Sequence, residues 1–218
     1  TRTPTHTFTP SNTPTATITP SPTLPPEGLR GEQNLLPSAL LAANPELYTL
    51  GQDGTYWRMG VGSPSTNPVY TLALPADMLD TTFGNNAASR ITSVEALIEL
   101  ATWNPPLVLD NAVYFGVMLQ AVDDPAQMVG VQLNLISDGV FNIAQRVGDD
   151  VTLIAQRSLN GNQARIRLTR DNNLVALYVN NEQIGAALEL DQPEVLPAIY
   201  VKEGGVIIHI RAWEVILR

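Results

Sequence analysis

From residue 112 onward the chain is a series of short apolar runs cut by Asn, Asp or Gly roughly every eight to twelve residues. The cuts are Ser137-Asp138-Gly139, Gly148-Asp149-Asp150, Asn160-Gly161-Asn162, Asp171-Asn172-Asn173 and Asn180-Asn181. Gly and Asn tolerate the positive φ that tight hairpins demand. Between the cuts, strands are expected over Val113–Val122, Met128–Ile136, Val140–Val147, Val151–Gln156, Ala164–Arg170, Leu174–Val179 and Gln183–Leu188, then Ala198–Val201 and Val206–Leu217. Hairpins at this spacing restrict the body to an antiparallel sandwich or barrel.

Upstream the pattern is looser. Tyr56–Val61 and Val69–Leu74 read as strands, Leu35–Ala43 as a short helix stopped before Pro45, and Met78–Ala88 as a polar loop. Ile91–Trp103 fits two readings. Its segment SVEALIELA has helical propensity, yet Val94, Ala96, Ile98 and Leu100 alternate with Glu95 and Glu99. The neighbouring strands favour a strand.

The first 28 residues differ in kind. The ten-residue unit TPTHTFTPSN is followed by TPTATITPSP, with threonine at alternate positions and an apolar residue, Phe8 or Ile18, between prolines. Thr/Pro tracts read as extended, O-glycosylated stalks, here with Thr3, Thr5, Thr7, Thr9, Thr13, Thr15, Thr17 and Thr19 as acceptors. The division is therefore a tail over residues 1–28 and a β-sandwich over 29–218. A start at Thr1 suggests a processed or truncated N-terminus, with any signal or anchor already lost.

The formal net charge is −9, and Lys202 is the only lysine, so the sequence offers no basic patch for nucleic acid. No apolar run reaches the ~18 residues of a membrane span. Absent cysteine rules out disulfides, thiolate metal sites and a thiol nucleophile. There is no Asn-x-Ser/Thr acceptor for N-linked sugar.

Four stretches carry a family resemblance: YFGVMLQAVDD, VQLNLISDGVFNIAQRVGDD, ARIRLTRDNNLVALYVNNEQIG and IIHIRAWEVIL. Together, from Tyr114 to Leu217, they resemble the concanavalin A-like (laminin-G-like) jelly roll. Asn181 stands where the second Gly of the last hairpin usually sits, and the closing strand carries Arg211-Ala212-Trp213-Glu214-Val215 in place of the commoner acidic ending. The resemblance implies an all-β jelly-roll sandwich with the Thr/Pro tail extended from it. It leaves activity open, because the scaffold hosts lectins, glucanases and structural subunits.

Laminarinase-type enzymes of this fold carry E-x-D-x-x-E on one strand. Only Glu95 and Glu99 approach this here, with Leu97 in the aspartate position, and they read as solvated carboxylates. His209 reads as an inward or interface residue, not as a base. Asp123, Asp124, Asp149 and Asp150 at strand ends are the candidate Ca²⁺ ligands; otherwise no cofactor is expected. Trp57, Trp103 and Trp213 read as core residues, with a sugar-stacking platform as the alternative.

The function expected from these features is a non-catalytic, extracellular structural protein. It would polymerise into a surface filament as each tail packs on a neighbouring copy through Phe8, Ala16, Ile18 and Leu24. The alternative is a carbohydrate-binding module of a secreted or cell-surface protein, with glycans as partners.

Overall fold

The computed structural model describes residues 28–31, 48–50, 57–60, 69–102, 114–137, 139–202 and 207–218. The tail positions from Thr3 to Leu24, the helix expected at Leu35–Ala43, and Trp103 lie outside them. The strands are β1 (Gly28–Gly31), β2 (Tyr48–Leu50), β3 (Trp57–Gly60), β4 (Val69–Ala73), β5 (Ile91–Thr102), β6 (Tyr114–Ala121), β7 (Met128–Ser137) and β8 (Val140–Val147). They continue with β9 (Asp150–Ser158), β10 (Gln163–Asp171), β11 (Leu174–Val179), β12 (Glu182–Gln183), β13 (Leu188–Glu189), β14 (Val195–Lys202) and β15 (Ile207–Leu217).

All pairings are antiparallel and form two sheets. The nine-stranded sheet runs β12-β11-β10-β5-β15-β3-β2, with β1 on β15 and β13 on β11; the six-stranded sheet runs β4-β14-β6-β7-β8-β9. Period-two alternation sends Val94, Ala96, Ile98 and Leu100 of β5 inward, together with Ala164, Ile166 and Leu168 of β10. Phe115, Val117 and Leu119 of β6 and Val129, Val131 and Leu133 of β7 belong to the same core from the other sheet. Phe115 and Phe141 meet edge to face with ring centres 5.9 Å apart.

The hairpins form where the turn residues sit. Gly139 has φ 71°, and Asn180 and Asn181 have φ 50° and 68°, the paired positive values of a tight hairpin. Ile91–Thr102 is a strand throughout, as its neighbours require. Two expectations need correction. Met78–Ala88 is not a loop: Ala76–Phe83 forms helix α1 and Ala87–Arg90 forms helix α2. Leu79, Ala87 and Ala88 are buried, and Asp80 Oδ1 accepts the Ala87 N–H at 2.8 Å, so packing and one side-chain bond override a weak local propensity. Gln183–Leu188 is not one strand either: it breaks at Gly185, φ 63°, leaving β12 and β13 as two-residue pieces.

At the far edge of the six-stranded sheet, β9 exposes Val151, Leu153 and Ile154, with Leu153 60% accessible. An apolar edge strand is a template for unwanted pairing. Leu153→Lys is expected to leave the melting temperature within a few degrees while reducing light scattering on heating. More scattering than in the parent chain would contradict this.

Arg157 of β9 pairs with Glu182 of β12, tying the edge strands of the two sheets together; Nη2 donates to Oε1 at 2.6 Å. That hydrogen bond lowers the Glu182 pKa and raises that of Arg157. A carboxylate that protonates later when folded stabilises the fold above its ordinary pKa and loses that effect as pH falls through the lowered value. Glu182→Gln is therefore expected to melt below the parent at neutral pH, with the gap closing as pH falls through the lowered Glu182 value. A gap that widens in acid would reverse the sign. Because the pair is exposed, added salt should shrink the neutral-pH gap.

Candidate functional site

The side chains of β6 and β7 that turn away from the inter-sheet core form a second layer on the outer side of the six-stranded sheet, most of it buried: Met118, Gln120, Gln132, Ala198 and Tyr200 are each at most 8% exposed. Register places them in rows across the sheet. Tyr200 of β14 faces Gly116, which faces Gln132, which faces Ala144; Ala198 faces Met118, then Gly130, then Arg146. Tyr114, Asn134 and Asn142 make a third row. Neither glycine position has room for a side chain. A Cβ on Gly116 would overlap the Val131 main chain, and one on Gly130 would meet Met118 Sδ at 2.6 Å.

From β8, Arg146 reaches across this layer to Tyr200 of β14. Its guanidinium carbon sits 4.8 Å from the centre of the Tyr200 ring. Nη1 donates to Tyr200 Oη at 3.3 Å and Gln132 Oε1 at 3.4 Å, and Nη2 donates to Asp149 Oδ1 at 3.0 Å. Tyr200 is 2% exposed and forms a small outer cluster with Met118 and Ala198. Burial raises the Tyr200 phenol pKa, and the nearby Arg146 charge offsets part of that rise. Three polar atoms of this face find no partner among the described residues: Gln120 Oε1, Asn134 Oδ1 and Arg146 Nε. Unmatched polar atoms are uncommon in folded proteins, and bound ligand groups are one way of completing them. The face thus combines two tyrosines, four amide side chains and one oriented guanidinium.

The residues singled out in the sequence fall elsewhere. Glu95 and Glu99 lie on the outward face of the nine-stranded sheet, Glu95 bonded to Arg165 and Glu99 to Arg211. His209 Nδ1 stands 3.8 Å from Glu99. Four residues of strand separate the two glutamates by about 13 Å, beyond the reach of a cooperating carboxylate pair. Glu95 instead stands directly opposite Glu214 of β15.

Trp213 is no sugar platform: it is 4% exposed and part of the core. Alternation from Ile208 and Ile210 would have put it outside. A bulge between Ile210 and Ala212 inserts Arg211 and reverses the phase, so Trp213, Val215 and Leu217 turn inward. Trp57 belongs to β3.

The aspartates serve their own turns. Asp124 accepts from Ala126 N and Gln127 Nε2, each at 3.1 Å, and Asp149 holds Arg146. Asp123 is exposed and Asp150 opens β9. Among the described residues no three His, Cys, Asp or Glu converge as a metal site.

Sequence reasoning missed Arg146, Tyr200 and Gln132. The available signal was the Gly of YFGVMLQ and the Gly of MVGVQLN, which place two side-chain-free positions beside each other in a pairing only the fold discloses.

No protein-family model matches the sequence, and no curated protein matches it. Solved structures do match. The GH43 BlXynB protein from Bacillus licheniformis aligns at 9% identity and TM-score 0.51, over 80% of this chain and 35% of its own. A functionally unknown protein from Saccharomyces cerevisiae aligns at 9% identity and TM-score 0.50, over 78% of this chain and 92% of its own. The carbohydrate-binding module CBM66 from Bacillus subtilis aligns at 8% identity and TM-score 0.45, over 77% and 89%. This chain therefore spans about a third (35%) of the BlXynB protein.

The fold is a concanavalin A-like jelly-roll β-sandwich. Two expectations are corrected by these matches. The filament subunit is set aside, because the fold is shared with the GH43 BlXynB protein, which agrees better with the alternative than with a filament. The expectation of a non-catalytic chain is also withdrawn, because a GH43 protein shares the architecture. Assembly from copies of itself gains no support from the comparisons.

Proposed function

We propose that this chain is a carbohydrate-binding β-sandwich of an extracellular protein, recognising a glycan on the outward face of the six-stranded sheet. The observation that carries the reading is the polar cluster in which Arg146 joins Tyr200 and Gln132, with Asn134 one row away. Amide side chains donate and accept together, which suits vicinal sugar hydroxyls, and a guanidinium supplies donors in a fixed fork. The shared fold with a GH43 protein supports the same class of ligand. Among the described residues no helix is long and apolar enough to cross a membrane.

The test is retention of the purified chain on a panel of insoluble and immobilised neutral polysaccharides. At least one should retain it, and Gln132→Ala should reduce that retention. Failure to bind any member would remove the proposal.

Hydrolysis is a second reading, favoured by one observation: Glu95 and Glu214 face each other across neighbouring strands. Directly opposed residues hold their Cβ atoms about 5 Å apart, close to the separation of the two carboxylates in retaining glycosidases. Release of reducing ends from the same panel, abolished by Glu95→Gln, would support it. Absence of release, or release indifferent to that change, would remove it.

A further inference from the structure

A cavity of about 460 Å³ opens at one end of the sandwich, away from the glycan face, where α2, the start of β5, the β10–β11 hairpin and residues 191–193 meet. Its wall includes Arg90, Thr92, Arg170, Asn172, Asp191 and Arg218. Among the described residues neither Arg90 nor Arg170 is held by an Asp or Glu side chain. Arg90 Nε donates to the Arg218 main-chain oxygen at 2.9 Å, and its Nη1 donates to the Phe83 carbonyl at 3.2 Å. Arg170 holds the Gln192 and Pro193 carbonyls, the latter at 3.3 Å from each terminal nitrogen. Neither makes an ion pair among the described residues. Arg170 Nε is buried without a partner there, and burial lowers the Arg170 pKa. Carbonyls orient a guanidinium but leave its charge in place. On a chain of net charge −9 this is a local reversal of sign.

We propose that this cavity binds the carboxylate of an acidic sugar, a hexuronate unit, with Arg170 and Arg90 opposing the negative charge. The cavity lies in the size range of small-ligand pockets. Asn172 and Thr92 offer amide and hydroxyl partners for ring hydroxyls, and Asp191 accepts from them. That same carboxylate, and Asp171 paired to Arg218 at 3.3 Å, disfavour a dianion, so a singly charged carboxylate fits better than phosphate. Among the described residues no aromatic ring lines the space, so recognition rests on charge and hydrogen bonds. The site stands on residues separate from the Arg146 face and does not require that reading.

Calorimetric titration of the full chain with glucuronate, glucose, acetate and inorganic phosphate tests it. Glucuronate should bind saturably, at least tenfold tighter than the other three, and more weakly as salt rises. Arg170→Gln should cut its affinity at least tenfold. Because that change also frees two carbonyls, Asn172→Asp is the second variant. Asn172 has φ 56°, which Asp tolerates, and the new charge should repel the ligand by a similar factor without loss of folding. Arg146→Ala should leave glucuronate affinity unchanged, which separates this site from the sheet face. Equal affinity for glucuronate and glucose, acetate or phosphate, or indifference to both Arg170→Gln and Asn172→Asp, would overturn the proposal.

Discussion

Gly116→Val is expected to abolish the cooperative thermal transition, and Gly116→Ala to lower the melting temperature by on the order of 10 °C. The cause is main chain, not side chain. A Cβ at Gly116 would overlap the Val131 carbonyl, lie 2.9 Å from the Val131 carbonyl carbon, and lie 3.2 Å from Gln132 Cα. A side-chain clash can be relieved by a new rotamer. This one requires β6 and β7 to separate, and these are central strands of the six-stranded sheet. Overpacking a core typically costs about 1–3 kcal/mol; adding main-chain displacement raises the cost of one methyl to about 3–4 kcal/mol. For a chain of this size each kcal/mol lowers the midpoint by roughly 2–4 °C. Valine adds two methyls to the same overlap, against a total stability of only about 5–15 kcal/mol. Gly130→Ala should behave like Gly116→Ala, since its Cβ would meet Met118 Cα at 2.8 Å. Calorimetry reads all three. A Gly116→Ala midpoint within about 2 °C of the parent would mean that the strands have slack at this point.

Arg146→Ala is expected to weaken binding of a retained polysaccharide by ten- to a hundredfold while leaving the fold intact. Arg146 is the residue through which Tyr200, Gln132 and Asp149 are connected, so its loss removes a donor to the ligand and releases the groups around it. A hydrogen bond to a charged group contributes about 1.5–3 kcal/mol, which is roughly a ten- to hundredfold change in affinity. The change also costs stability, because the Arg146 side chain is 11% exposed and a desolvated cation–π contact contributes about 2 kcal/mol, less than the whole stability of a domain. Arg146→Lys separates charge from geometry: it keeps the cation and loses the planar fork, so most of the affinity should still be lost. Affinity gels on the retained polysaccharide, read beside melting curves, check both variants. Binding within twofold of the parent in Arg146→Ala would place the glycan on another surface.

Much of the architecture was legible because it is local. A tight hairpin needs two residues that accept positive φ, and Asn180-Asn181 advertises them whatever lies elsewhere. Alternating Val94, Ala96, Ile98 and Leu100 identify a half-buried strand from neighbouring residues alone. The region Met78–Ala88 was misread for the opposite reason. Its helices depend on Leu79, Ala87 and Ala88 finding a core supplied by distant strands. The functional residues were harder still. Arg146, Tyr200 and Gln132 occupy three strands, and nothing in their spacing along the chain joins them. Arg90 and Arg170 likewise meet only across the end of the sandwich. The carboxylate pairing suggested by Glu95 and Glu99 was a same-strand pattern, whereas the closer neighbour of Glu95 is Glu214, on another strand.

By itself the amino-acid order determined an all-β antiparallel body, the places of most of its strands and hairpins, and a net negative charge. Those properties follow from backbone dihedral preferences, side-chain alternation and net charge, which act over a few residues or are simple sums. Tertiary structure decided which side of each strand faces out and which groups meet there. Alternation has a period of two, so a single inserted residue, Arg211, was enough to turn Trp213 into the core, where unbroken alternation from Ile210 would have turned it out. Register between strands settled the rest, by bringing Arg146 of β8 to Tyr200 of β14 and Gln132 of β7.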